Sequence, residues 1–154
     1  MAAGAFVFPD LAKLNCFSVT NLLGANAANF KLALIGSTWV PANSTDEVFA
    51  TPAVNEIAAA NGYAAGGLAL TSVALTQTAG TVKFTCAAAS WTATGGSIAA
   101  WRRGVVYYLG TLNGKINPIV GHFLGDSTPA DVPATTAGNP LTVTPSASGI
   151  LSAT

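Results

Sequence analysis

Charged side chains are scarce in this chain. Six basic and six acidic residues occur among 154, so charged residues make up 8% of the sequence and the formal net charge is zero. A soluble domain usually carries about 25% charged residues. A surface that binds nucleic acid needs a stripe of basic residues, whereas Arg102 and Arg103 are the only adjacent pair here. We therefore expect no nucleic-acid partner.

Residues that carry catalysis or bind metals are also rare. The chain has one histidine, His122, and two cysteines, Cys16 and Cys86, whose separation fits neither a zinc site nor a redox motif. Glu47 and Glu56 are too isolated to act as an acid/base pair. We expect no enzymatic activity, no cofactor, a structural role for His122 and a buried free thiol at Cys86. A disulfide between the two cysteines remains the less favoured alternative.

Long hydrophobic runs are missing as well. Residues 57–82 carry no charge, but they include Gly, Asn, Gln, Ser and Thr, and most of their apolar residues are Ala. A membrane-spanning helix needs about 20 predominantly apolar residues. The N-terminus lacks a basic segment and meets Pro9 early, which is not typical of a secretory signal. We expect no membrane partner.

What the chain does have is apolar residues, which make up 51% of the sequence. A monomer of this mass exposes roughly 7,000 Å² of surface. Twelve charged side chains spread over that area leave about 600 Å² for each, far more than is usual for a dispersed small protein. This deficit predicts that much of the surface contacts other protein. The alternative is a monomer kept soluble by its many Thr, Ser and Asn residues.

The strongest strand signals lie in the middle of the chain. Residues 81–87 alternate apolar and polar side chains, as in a half-buried strand. Residues 97–109 are largely apolar on both faces, which is typical of a strand covered on both sides. Asn113 and Gly114 both tolerate positive φ, so they predict a tight hairpin turn before a strand over 116–123.

Weaker signals extend the same pattern along the chain. They are strands at 30–36, at 68–77 with an irregularity near Ser72, at 141–144 and at 150–151, and short helices at 10–17 and after a capping box formed by Ser44 and Glu47. Many short strands and little helix predict an all-β fold, either a β-sandwich or a jelly-roll-like fold. We expect an N-terminal arm at 1–10 and one such domain at 11–154.

Trp39, Trp91 and Trp101 could form a carbohydrate platform, but large aromatic residues more often anchor a core or an interface. We favour the second interpretation. Glu56 lies next to the long uncharged stretch, so we expect it to form an ion pair with Arg102, with Arg103 as the other possible partner. The candidate interface residues are Phe6, Phe8, Trp39, Trp101, Arg102, Arg103 and Tyr107.

A set of scattered residues that spans nearly the whole chain, roughly residues 5–151, matches a pattern found in a known group of proteins. They are Phe30-Lys-Leu-Ala-Leu, Trp39-x-Pro41, Glu56, Gly62-Tyr63, Gly66-Gly67, Trp91, Ile98-Ala99-Ala100 with Arg102, Val106-Tyr107 and Gly149-Ile150-Leu151. This order resembles small structural virion proteins of tailed bacteriophages, some of which are capsid cement or decoration proteins.

The resemblance implies a non-enzymatic protein, made in the bacterial host cytoplasm, that sits on the outer capsid surface. Its expected partners are the major capsid protein and other copies of itself, as a homotrimer. We expect the arm at 1–10 or the loop at 125–139 to reach a neighbour, because few local contacts would hold either one. The alternative is a tail- or fibre-associated virion protein, or an adhesin that binds glycans.

Overall fold

The structure is a computed structural model that describes residues 4, 6–7, 27–78, 81–128, 130–146 and 151–153. It is nearly all β, with antiparallel sheets that do not close into a barrel, so the all-β prediction is confirmed. The described strands are β1 (Phe6–Val7), β2 (Phe30–Ile35), β3 (Leu68–Ala69), β4 (Ala74–Thr78), β5 (Thr81–Thr85), β6 (Ala89–Thr92), β7 (Arg103–Tyr108), β8 (Thr111–Leu112), β9 (Lys115–Ile116), β10 (Ile119–Leu124), β11 (Pro140–Val143) and β12 (Leu151–Ala153). Short helical segments are a 3-10 turn at Ala27–Asn29 and the helix α1 at Ala50–Ala53.

The largest sheet has five strands in the spatial order β1-β10-β7-β2-β3. Strand β7 lies at its centre. It pairs with β2 over its whole length, from Phe30 opposite Tyr108 to Ile35 opposite Arg103, and with β10 on its other side. These pairings occupy both edges of β7. Its residues at successive positions 104–107 are buried, so both faces of the strand are covered, in keeping with its apolar sequence.

Two separate cores cover the two faces of this central sheet. On one face, β2 and β7 contribute Phe30, Leu32, Leu34 and Val106 to a core that also contains residues of the smaller sheets. On the opposite face, alternate residues of the same strands pack against side chains of the segment between β2 and β3; this second core comprises Ala33, Ile35, Trp39, Phe49, Val105, Tyr107 and Ile119. The strand predicted over 97–109 is present only at Arg103–Tyr108, and within those bounds the prediction that it is covered on both sides is confirmed.

The smaller sheets close the first core from the side opposite the central sheet. One has the order β12-β5-β4, and the other pairs β11 with β6. The ring of Phe84 on β5 meets the ring of Phe30 edge-on, with centroids 5.0 Å apart. Trp91 on β6 lies opposite Leu141 on β11, and both strands alternate buried and exposed residues. This is the layered packing expected of a sandwich.

The hairpin predicted at Asn113-Gly114 is confirmed, whereas the single strand predicted over 68–77 is divided near Ser72 into β3 and β4, which belong to different sheets. Asn113 and Gly114 have φ of 50° and 74°, and they join β8 to β9 as a hairpin. Ser72 has φ of 52° and lies between β3 and β4, at the predicted irregularity. The returning strand starts later than predicted, at Ile119, because Asn117 also has positive φ and its side chain accepts a hydrogen bond from the Gly110 N–H.

The helix predicted after the capping box is wrong. Residues 42–46 form turns, in which the Asp46 carboxylate accepts a hydrogen bond from the Ala42 N–H at 2.8 Å. Glu47 forms an ion pair with Lys115 instead of reaching back to Ser44. The short helix α1 starts only after this segment. The helix predicted at 10–17 lies outside the described residues, as do Phe8 and Cys16.

The arm and the loop have more local contacts than the sequence predicted. The Gly4 N–H donates to the Leu124 carbonyl at 2.7 Å, and β1 pairs with β10 as an edge strand of the central sheet. In the loop at 125–139, isolated bridges join Val132 to Trp101 and Thr135 to Ile98. The expectation that few local contacts hold these segments is therefore wrong for their described residues.

Candidate functional site

The three tryptophans belong to the cores. Trp39, Trp91 and Trp101 are exposed by 5%, 5% and 2%. A carbohydrate platform needs open aromatic faces, so that interpretation is wrong. Of the two roles that the favoured interpretation allowed, core or interface anchor, the structure shows the core for all three. Because Trp39 and Trp101 are buried within the chain itself, neither offers area to a partner.

Tyr107 is also buried rather than available at an interface. Its ring stacks on Phe49 with centroids 4.0 Å apart and planes 5° from parallel. The side chain points into the second core because it follows Val105 at the period of a strand. Of the seven interface candidates, Trp39, Trp101 and Tyr107 are thus placed wrongly. Arg102 and Arg103 are partly exposed, and the side chains of Phe6 and Phe8 lie outside the described residues.

The predicted ion pair between Glu56 and Arg102 does not form. The Arg102 Nε donates to the Asp131 carboxylate at 2.7 Å. The backbone bridge between Trp101 and Val132 brings Asp131 close to Arg102, which explains the choice of partner. No salt bridge joins Glu56 to either arginine in the part of the chain that the structure describes.

Glu56 instead anchors a turn through hydrogen bonds. Its carboxylate accepts from the Tyr63 hydroxyl and from the Gly66 N–H, both at 2.7 Å. The Tyr63 oxygen in turn accepts from the Leu34 N–H at 2.9 Å, and the Tyr107 hydroxyl donates to the Gly66 carbonyl at 2.8 Å. These bonds fasten the turn to the central sheet.

Both phenols in this network stay protonated at neutral pH. Burial raises the pKa of Tyr63 far above its usual range, and the hydrogen bond to Glu56 adds to the effect. Burial and the charge of Glu56 raise the pKa of Tyr107 to about 12. A protonated phenol is a reliable hydrogen-bond donor to a carboxylate or a carbonyl. The arrangement therefore serves to hold the backbone.

A second polar group, which we call the His122 cluster, consists of Trp39, Asn43, Arg103 and His122. The His122 side chain lies on the second-core face of the central sheet and is 4% exposed. Its Nε2 is 3.0 Å from the Asn43 Oδ1, and its ring meets the Trp39 ring edge-on with centroids 5.5 Å apart. Arg103 stands diagonally across from it, because His122 pairs with Val105 two residues along β7.

His122 is neutral at pH 7. Burial and, to a smaller extent, the charge of Arg103 lower the pKa of its imidazole to about 4, although the charge of Asp46 acts in the opposite direction. The expectation of a structural histidine fits this placement. No sequence pattern predicts that Trp39 and Arg103 lie beside it, because they come from a loop and from a different strand.

The His122 cluster contains polar nitrogens that lack partners. Among the described residues, four buried side-chain nitrogens accept or donate no hydrogen bond: Trp39 Nε1, Trp101 Nε1, Arg103 Nε and His122 Nδ1. Three of these four belong to this one cluster. A buried polar group left without a partner costs about 1–3 kcal/mol, so such groups are rare in folded proteins. Their concentration here makes this cluster the candidate site.

Other chemistry has less support in the described residues. Cys86 is a free, partly buried thiol, as predicted, and burial raises its pKa to about 11, so the reactive thiolate is disfavoured at neutral pH. Across the described ranges, no group of three or more His, Cys, Asp or Glu residues could hold a metal ion. Within the same ranges, no helix has the length and apolar character that crossing a membrane requires.

Comparisons of the chain with protein-family models, with curated proteins and with solved structures found no match.

Proposed function

We propose that this chain is a non-enzymatic structural protein of a tailed-bacteriophage virion, namely a capsid decoration protein. It binds the outer surface of the shell, contacts the major capsid protein and associates with other copies of itself as a homotrimer. The observation that carries this proposal is the small number of charged side chains relative to the surface area. The solvent-accessible surface of the chain is 7341 Å², so there is one charged side chain for about every 600 Å².

Exposed apolar side chains support the same proposal. Val54 is 84% exposed, Val40 is 77% exposed and Ile116 is 69% exposed. Single exposed apolar residues are common, but a surface that also lacks charge has little to keep neighbouring copies apart. Contact with other subunits would remove these side chains from water.

Burial of such an apolar surface in the repeated contacts of a capsid shell is energetically favourable. A contact that buries about 200 Å² of apolar area contributes about 5 kcal/mol before the cost of association. A closed symmetric shell repeats each contact many times, so modest contacts add up to a large stabilisation. The fold contributes a rigid support, since the central sheet is packed on both of its faces.

Binding to shells tests the proposal. The purified chain is mixed with expanded, empty shells of the phage that carries it, and bound copies are counted after sedimentation. We expect saturable binding and a higher melting temperature of the shells. A chain that remains monomeric at high concentration and does not sediment with shells would overturn the proposal. Binding to isolated tails instead of shells would replace decoration with the tail-associated alternative.

Matched variants show whether the apolar surface carries the binding. Val54→Ser and Ile116→Ser each remove an exposed apolar side chain, and we expect at least one of them to weaken binding to shells or between copies. Thr111→Ser is the control, because Thr111 lies opposite Ile116 in the hairpin and is exposed and polar. Equal binding by all three variants would exclude these side chains from the contact.

A further inference from the structure

Two adjacent arginines at the start of β7 have opposite surroundings. Arg102 lies at the surface and its Nε donates to the exposed carboxylate of Asp131 at 2.7 Å. Arg103 has a buried Nε without a partner, and neither salt bridge found in the described part of the chain involves it. Both arginines are partly exposed, but only Arg102 has a carboxylate partner among the described residues, whereas the buried Nε of Arg103 has none.

The charge of Arg103 persists despite these surroundings. Burial and the neighbouring charge of Arg102 lower the pKa of its guanidinium, yet arginine does not lose its proton in proteins. Asp46, a buried acid whose charge acts on His122, uses a carboxylate oxygen to accept a hydrogen bond from the Ala42 N–H. Arg103 is therefore a fixed positive charge that no carboxylate of the described chain neutralises.

Two further unpartnered nitrogens accompany this charge. Trp39 Nε1 is an obligatory donor, and it belongs to a ring in contact with His122. His122 Nδ1 is the third. His122 Nε2 lies 3.0 Å from the Asn43 Oδ1, so Nε2 carries the proton and donates, and Nδ1 of the neutral imidazole is an acceptor.

We propose that Trp39 and Arg103, beside His122, form a binding site for an oxyanion of the carboxylate class. The guanidinium supplies the charge and an Nε–H donor, the indole supplies a neutral donor, and the neighbouring imidazole reports whether the site is occupied. A carboxylate can accept from several donors at once, and guanidinium is the side chain best suited to hold it. This site is independent of the proposed function, since it requires neither a shell nor a trimer.

The carboxylate has two sources with the same chemistry. It can be a free organic acid, or it can be an acidic side chain on another copy of this chain. A free acid occupies the site at any protein concentration. A side chain of a second copy occupies it only where copies associate. The experiment below separates these sources.

The single histidine makes the test direct, because all imidazole NMR signals come from His122. Sodium acetate is titrated into the protein at neutral pH, with sodium chloride holding the ionic strength constant. We expect a saturable change in the imidazole signals, with a Kd of about 1 mM.

Arg103→Gln removes the charge and should weaken acetate binding at least about tenfold. Arg102→Gln is the matched control, because it removes the neighbouring arginine that already has a carboxylate partner, and it should leave the Kd unchanged. Near-UV circular dichroism checks that each variant is folded. If Arg103→Gln does not fold, Trp39→Phe takes its place, since it removes the indole N–H but keeps an aromatic ring, and it should also weaken binding.

Dilution of the protein without acetate identifies the source. Concentration-dependent His122 signals that disappear in the Arg103 or Trp39 variant indicate a carboxylate of a second copy, whereas saturation by acetate at every concentration indicates a free acid. Either result supports the site. Signals that do not change with dilution and show only an unsaturated drift with acetate overturn it, and so does equal binding by wild type and variant. In those cases the unpartnered nitrogens are satisfied by water alone.

Discussion

Replacing Gly104 by alanine tests the register of the central sheet. Gly104 lies opposite Phe123 in the pairing of β7 with β10. A Cβ atom at position 104 would come within 3.0 Å of three carbons of the Phe123 ring. The φ angle of Gly104 is not positive, so alanine suits the backbone there. The expected damage is thus purely steric.

The size of the effect follows from how the ring is held. Phe123 is buried in the first core, where neighbouring side chains limit its movement. Inserting a methyl group into a packed core costs about 1–3 kcal/mol. We expect a loss near the upper end, about 3 kcal/mol, because three ring atoms must move together. Urea unfolding followed by tryptophan fluorescence measures it as a lower midpoint with an unchanged m-value.

A double-mutant cycle identifies the cause. Phe123→Leu removes the obstructing ring atoms, so Gly104→Ala should cost at least about 1 kcal/mol less in that background. Gly36→Ala is the matched control, since its Cβ would meet only the Asn55 carbonyl at 3.4 Å, and it should change stability by less than about 0.5 kcal/mol. Additive effects of the two substitutions would refute the register and the packing argument together.

Three further outcomes follow from the polar contacts. Tyr63→Phe should destabilise the fold by about 1–3 kcal/mol, because it removes the hydrogen-bond partner of the Leu34 N–H and of the Glu56 carboxylate. Tyr108→Phe is the control and should cost less in the same urea assay, because the Tyr108 hydroxyl accepts only a 3.3 Å hydrogen bond from Asn29. The pKa of His122 is about 4 in the folded protein and 6.5 ordinarily, so the unfolded chain takes up the proton first as pH falls. The free energy of unfolding should therefore decrease by about 2–3 kcal/mol from pH 6.5 to pH 4. Urea melts at each pH should show this decrease in wild type relative to His122→Gln. A difference in unfolding free energy between the two proteins that does not change with pH would contradict the prediction. Asp131→Asn should cost less than about 1 kcal/mol, since its pair with Arg102 is exposed, and a larger loss in thermal melts would mean that the pair holds the loop.

Local patterns in the sequence predicted several of the strands, although β6 at Ala89–Thr92 was missed. Residues 30–36 and 81–87 alternate with a period of two, and the structure has strands at Phe30–Ile35 and Thr81–Thr85. The hairpin at Asn113-Gly114 was equally predictable. In each case the signal lies within a few adjacent residues, because backbone φ preferences and side-chain alternation act over that range.

Predictions about contacts between distant residues failed more often. The capping box did not form. Glu47 forms an ion pair with Lys115 instead, and the Asp46 carboxylate accepts a hydrogen bond from the Ala42 N–H. Glu56 found Tyr63 and not an arginine, and the tryptophans packed inward. The His122 cluster could not be predicted, because its members come from a loop and two strands that only the sheet order brings together.

The amino-acid sequence by itself determined that the chain forms short antiparallel strands, that its central strand is buried on both faces and that its exterior carries little charge. Only the tertiary structure decided which side chains meet across those strands. The physical reason is that strand formation depends on local backbone and hydrophobic preferences, whereas the choice of a hydrogen-bond or ion-pair partner depends on which strands become neighbours, and on competition among all the groups within reach.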